Sequence, residues 1–79
     1  MDQLANTDLI ELDGLVVKSI RGGKYEVEVK SGDEVVISTC HLGGKLRMNK
    51  INIVVGDKVL IAVSPYDITR GTIKWRYPK

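Results

Sequence analysis

A strict period of two between residues 24 and 30 constrains this chain most. Tyr25, Val27 and Val29 alternate there with Glu26, Glu28 and Lys30, which is the pattern of a strand with one face buried and the other in water. At helical spacing Val27 would fall on the face opposite Tyr25 and Val29. Ser31, Gly32 and Asp33 then supply turn chemistry, and the β-branched run at 35–39 reads as the antiparallel return strand of a hairpin. Upstream, 12–20 is a third strand, with Gly14 where a bulge or sharp coil would be built and Gly22 and Gly23 in the turn that ends it. Downstream, 58–63 and 71–77 complete a set of five strands. The pair Gly56, Asp57 introduces the first of these, and Ser64, Pro65, Tyr66 and Asp67 link it to the second.

Between the third and fourth strands, 41–55 carries Lys45, Leu46, Arg47, Met48, Asn49 and Lys50. These are good helix formers in a stretch too short for an independent helix, so one or two helical turns are expected. Three strands, a short helical turn and two more strands predict an all-β domain, a five-stranded Greek-key OB-fold barrel, with an SH3-like barrel as the nearest competitor. Seventy-nine residues suffice for one such domain. It is placed at 9–79 as a single OB-fold domain, with the acidic stretch 1–8 a candidate disordered N-terminal segment. That stretch has no Lys or Arg, so neither a secretory nor a transit signal is expected, and no apolar run is long enough to span a membrane. The lone Cys40 can make no disulfide within the chain, which favours a reducing, cytoplasmic setting.

Catalysis finds few ingredients. Cys40 and His41 are neighbours on an expected strand, so their side chains point to opposite faces; there is no second His and no CxxC. Cys40 reads as a small buried residue and His41 as a strand-end polar one. Gly43, Gly44 and Lys45 lack the rest of a phosphate loop. No catalytic residue, no metal ligand and no cofactor are therefore expected.

Charge is more informative. Residues 1–40 hold four bases against eight acids, a net −4, whereas 41–79 hold eight bases against two acids, a net +6, within an overall +2. Such a split suits a polyanion partner. Lys45, Arg47 and Lys50 lie within six residues that hold no acid; Lys74 and Arg76 alternate with Ile73 and Trp75 in the last strand, and Arg70 precedes them. With Ile73 and Trp75 facing the core, Lys74 and Arg76 would face solvent or phosphates. Tyr25 and Trp75 read as core, Tyr77 is left open, and Tyr66, in a turn, is the best candidate for an exposed ring. With no Phe in the chain, few rings and many cations favour recognition of a folded RNA over coating of a single strand.

The segments IELDGLVVKSI, GGKLRMNKI, VVGDKVLIAVSPYDITRGTI and KWRY resemble the bacterial translation initiation factor one family, over about 9–77. The resemblance implies an OB fold and a non-enzymatic factor in protein biosynthesis. Such a factor occupies the aminoacyl site of the small ribosomal subunit, contacts 16S rRNA and a small-subunit ribosomal protein, and assists the other two initiation factors in assembling the start complex. It implies RNA contacts at Lys45, Arg47, Lys50, Tyr66, Arg70, Lys74 and Arg76, no membrane partner, and a monomer when free. Met48, Asn52 and Thr72 stand where the family usually carries bases, and the stretch around 38–42 is longer than usual. Two other readings compete. A cold-shock-like RNA chaperone binding single-stranded RNA would depend on clustered exposed aromatics, and a protein-binding adaptor would use the acidic first half.

Overall fold

The computed structural model describes residues 9–78; the expectation for 1–8 lies outside them. Strands β1 (Ile10–Ile20), β2 (Lys24–Ser31) and β3 (Glu34–Leu42) form a meander, a one-turn helix α1 (Gly44–Met48) follows, and β4 (Lys58–Ser64) and β5 (Asp67–Arg76) form a hairpin. The strands close into a barrel in the order β1-β2-β3-β5-β4. All pairs are antiparallel except β3 with β5, which run parallel from Thr39 beside Arg70 to Leu42 beside Ile73. The five strands, their order and the helix between the third and fourth are those expected of the OB fold.

The alternation read at 24–30 is realised in part: Val27 and Val29 are buried and Lys24 and Lys30 exposed, while Tyr25, Glu26 and Glu28 are half-buried. From β3 come Ser38 and Cys40, from β4 Val59, Ile61 and Val63, and from β5 Ile73, and these close the core with Val16, Leu46 and Ile53. β3 runs three residues past the expected 39, because Cys40 and Leu42 continue the inward alternation with His41 outward, and the parallel ladder to β5 needs that length. β5 starts at Asp67 rather than 71, since only Pro65 and Tyr66 separate Ser64 from its partner Asp67.

Strand β1 serves two partners. Residues 10–15 pair with β4 and 14–20 with β2, so Gly14 sits beside both Val29 and Val59. It therefore marks the sharp coil, while the register shift of the β1–β2 ladder lies further on, between Val16 and Lys18. A Cβ at Gly14 would stand 2.3 Å from Val27 Cγ1, so the strand can bend across the core only with glycine there.

The turn before β4 is locked to β1 by Asp57, which is buried. The Val54 N–H donates to its Oδ2 (3.0 Å), and the Asp57 N–H donates to the Val54 carbonyl (3.1 Å). The Val16 N–H donates to the Asp57 carbonyl (2.9 Å), and the Gly56 N–H to the Val16 carbonyl (2.8 Å). Gly56 has φ 100, open to glycine at no steric cost. Replacing the carboxylate leaves the Val54 N–H without its acceptor. Asp57→Ala is expected to lower stability by about 2 kcal/mol in urea denaturation. A shift below about 0.5 kcal/mol, the scale of an ordinary surface substitution, would show that the turn holds without it.

Candidate nucleic-acid interface

Helix α1 is short, and its placement comes from backbone bonds more than from propensity. The Gly43 N–H donates to the Ile73 carbonyl (2.9 Å), and the Arg47 N–H returns to the Gly43 carbonyl (3.0 Å). A Cβ on Gly43 would lie 3.0 Å from that Ile73 carbonyl oxygen and 3.3 Å from Thr72 Cγ2, so glycine lets the helix begin against β5. Leu46 is the buried anchor, and Lys45, Arg47 and Met48 are exposed around it. Both cations lie in the last turn, where the helix dipole favours positive charge. Lys50 then adopts a left-handed conformation, φ 55. This reverses the chain, with the Ile51 N–H on the Leu46 carbonyl (3.1 Å) and Ile53 buried, while Lys50 itself stays exposed.

The start of the helix also lies against Lys74, since the Cβ position at Gly43 is 3.9 Å from Lys74 Cδ. Lys74 thus lies beside the start of the helix that carries Lys45 and Arg47, and among the described residues none of the three has an ion-pair partner. Arg70 lies about 13 Å from Lys74 along β5, at about 3.3 Å per residue, and Tyr66 lies further off, just before the strand begins at Asp67. Tyr66 is 87 % exposed at the hairpin tip, the exposure expected of it. Arg70 approaches Asp67 at 3.9 Å in an exposed pair that contributes little. Hydrogen bonds from the Thr69 hydroxyl and the Thr69 N–H hold the Asp67 carboxyl below its ordinary range.

The last strand departs from the expected alternation. Ile61 pairs with Ile73 but Leu60 pairs with Trp75, so Lys74 is an extra residue and the register shifts there. Trp75, read as core, is instead 54 % exposed, because the bulge turns both Lys74 and Trp75 outward. Arg76 then falls opposite Val59 and is half-buried, its Nη1 donating to the Asn52 carbonyl (3.2 Å). It does not share an outward face with Lys74. Tyr77 ties the chain back across the barrel: its N–H donates to the Lys58 carbonyl (2.9 Å) and its hydroxyl to Asp13 Oδ1 (2.6 Å). The bond to Asp13 raises the Tyr77 hydroxyl above its ordinary pKa.

Between β3 and β5, Lys24, Thr39, His41, Arg70 and Thr72 line a shallow groove, with Thr72 Oγ1 3.4 Å from His41 Nε2. The groove adds His41 and Lys24 to the polar surface. Strand alternation placed both outward, but only the parallel β3–β5 pairing, which no local pattern announces, brings them beside Arg70 and Thr72. Cys40 points the other way into the core, and burial pushes its thiol up. Among the described residues no three His, Cys, Asp or Glu side chains gather as metal ligands, and no helix is long and apolar enough to cross a membrane.

A closed five-stranded barrel with α1 between β3 and β4, and with cations displayed from α1 and β5, defines an OB-fold domain with a polar, basic face. A family model described as the RsgA N-terminal domain matches residues 13–73. The solution structure of translation initiation factor one from the Wolbachia endosymbiont strain TRS of Brugia malayi is 34 % identical over 91 % of this chain and 80 % of that one, with a TM-score of 0.66. YloQ, a circularly permuted GTPase, is 26 % identical with a TM-score of 0.73, and YjeQ from Thermotoga maritima is 28 % identical with a TM-score of 0.64. Each of these two matches 89 % of this chain, which covers 23 % of theirs, so the likeness to them is that of one domain within a longer protein. The chain belongs to the RsgA N-terminal domain family and, by its identity to the Wolbachia factor over nearly its whole length, to the translation initiation factor one family that its sequence resembles.

Proposed function

We propose that this chain is an RNA-binding OB domain of the small ribosomal subunit, acting as a translation initiation factor. It fills the aminoacyl site, contacts 16S rRNA and a small-subunit ribosomal protein, and assists the other two initiation factors in assembling the start complex. The observation that carries this reading is the exposure of Lys45 and Arg47 on α1, and of Lys74 beside the start of that helix, in an OB barrel 34 % identical to a translation initiation factor. Lys50, Arg70 and Tyr66 are exposed further along the same half of the chain. The mechanism is steric and electrostatic: the barrel occupies space, cations neutralise phosphates, and no bond is made or broken.

Each phosphate neutralised lowers the slope of log K against log salt by about 0.7 to 0.9, so contacts from the five exposed cations Lys45, Arg47, Lys50, Arg70 and Lys74 give a slope of about −3.5 to −4.5. Binding of the chain to purified small subunits across a salt series, with chemical footprinting of 16S rRNA at low salt, is expected to show that slope and protection confined to the aminoacyl site. Equal affinity for free RNA, with no site protected, would sink the initiation-factor reading and leave a general RNA binder.

A further inference from the structure

We infer that Trp75 is a stacking platform for one unpaired RNA base, an inference that rests on the RNA-binding reading above and gives its site a base-contacting component beside the phosphate contacts. A tryptophan is ordinarily among the most buried side chains of a small domain, yet Trp75 is 54 % exposed. It is exposed by construction, since the extra residue Lys74 shifts the β4–β5 register between Leu60 and Ile61 and turns Trp75 out. Bulges are a means of re-aiming one side chain.

The strand is fixed on both sides of the ring. Before it, Ile73 is fully buried and holds the Gly43 N–H on its carbonyl. After it, Tyr77 is bonded to the Lys58 carbonyl and to Asp13. The ring is therefore offered from a held backbone, which reduces the ordering cost of binding.

Its surroundings favour a nucleotide over an apolar protein surface. Lys74 adjoins it and lies beside the start of the helix that carries Lys45 and Arg47, so a base on the ring has cations within reach of its phosphates. Across the ladder its partner is Leu60, half-buried, and beyond that Asp13, whose carboxylate accepts the Tyr77 hydroxyl. Of the exposed apolar side chains, Val35 and Ile37 are on β3, which does not extend to Trp75, while Met48 ends the helix that carries Lys45 and Arg47 and Leu15 lies on β1 beside Lys58, two residues from Asp13. A flat exposed ring beside Lys74 matches a base, since every base has a π-face and stacking needs no sequence match.

Trp75 is the only tryptophan in the chain, so its emission reports on the ring directly. A nine-nucleotide adenine RNA at low salt is expected to quench that emission as it binds. Trp75→Ala is expected to bind small ribosomal subunits about tenfold more weakly than the unsubstituted chain. Its salt slope should be unchanged, because no charge is removed. Trp75→Phe, which keeps a ring and serves as a second variant if the alanine change disturbs the barrel, is expected to retain most of the affinity. A tenfold loss with a shallower slope, wild-type affinity of Trp75→Ala, or a bound oligonucleotide that leaves the emission unchanged would overturn the stacking role while the RNA-binding reading stands. Failure of the unsubstituted chain to bind subunits would remove both.

Discussion

Gly14→Ala is expected to cost about 3 kcal/mol, the upper end for an overpacked core, and so most of the stability a domain of this size possesses. The added Cβ would lie 2.3 Å from Val27 Cγ1, 2.9 Å from Val29 Cγ1 and 3.1 Å from the Glu28 carbonyl oxygen. None of these can yield cheaply. Both valines are buried at about 1 % exposure or less and are stiff at χ1, and the carbonyl belongs to β2 itself. Gly32→Ala is the matched control. Its φ of +63 is unfavourable for a side chain, but nothing lies within 4 Å of the new Cβ, so only the conformational cost of about 1 kcal/mol remains. Urea denaturation of the two variants separates steric from conformational cost. If both lose the same amount, the coil at Gly14 relaxes more easily than its contacts imply. Gly14→Ala combined with Val27→Ala should lose at least about 1 kcal/mol less than the two single changes added together, the coupling expected of residues in contact.

Joint reversal of the helix cations, Lys45→Glu with Arg47→Glu, is expected to weaken binding to small ribosomal subunits about a hundredfold or more at low salt. It should also make the salt slope shallower by about 1.4 to 1.8, because each of the two residues ceases to neutralise a phosphate. Both side chains are exposed, and the helix is held by buried Leu46 and by the Gly43 bonds to Ile73 and Arg47, so the denaturation midpoint should hardly move. Lys30→Glu is the control for net charge, an exposed cation on β2 outside the proposed interface, where a change of no more than about twofold is expected. Lys30→Glu changes the net charge by two units, against four for the helix pair. A loss at Lys30 about half as large in log affinity as that at the helix would therefore mean that binding follows total charge rather than this surface.

How much of the fold and of the interface is legible in the sequence differs by element. The alternation at 24–30 and the β-branched run after Gly32 specify β2 and β3 because half-burial leaves a periodic trace, and the five strands follow from turn residues between such runs. Parity places Cys40 in the core, and turn chemistry places Tyr66 at an exposed tip. Parity fails for Trp75 and Arg76, because a bulge adds one residue and inverts the alternation beyond it, and nothing in Ile73, Lys74, Trp75 distinguishes an inserted residue from a regular one. Without the bulge Trp75 would have packed inward; with it, Arg76 rather than Trp75 turns toward the barrel and commits a donor to Asn52. The meeting of α1 with Lys74 is hidden for a different reason. It depends on the Gly43 bond to Ile73, between residues thirty positions apart, whereas spacing along the chain reports only local geometry.

The closure of the barrel has a consequence for how the chain comes to be folded at all. β1 finds its second neighbour only in β4, and β3 finds its second only in β5, so as the chain is synthesised from its N-terminus the meander of β1, β2 and β3 emerges with both outer edges unpaired. Pairings this distant in sequence are slow to form, and until they do the open edges of β1 and β3 are templates for another chain. Val35 and Ile37, exposed on β3 in the finished barrel, are exposed throughout that interval too, while Cys40, sealed beneath Gly71 once β5 arrives, is open to oxidants only during it. The last ten-residue strand is thus both the edge of the binding surface and the event that ends the chain's period of vulnerability.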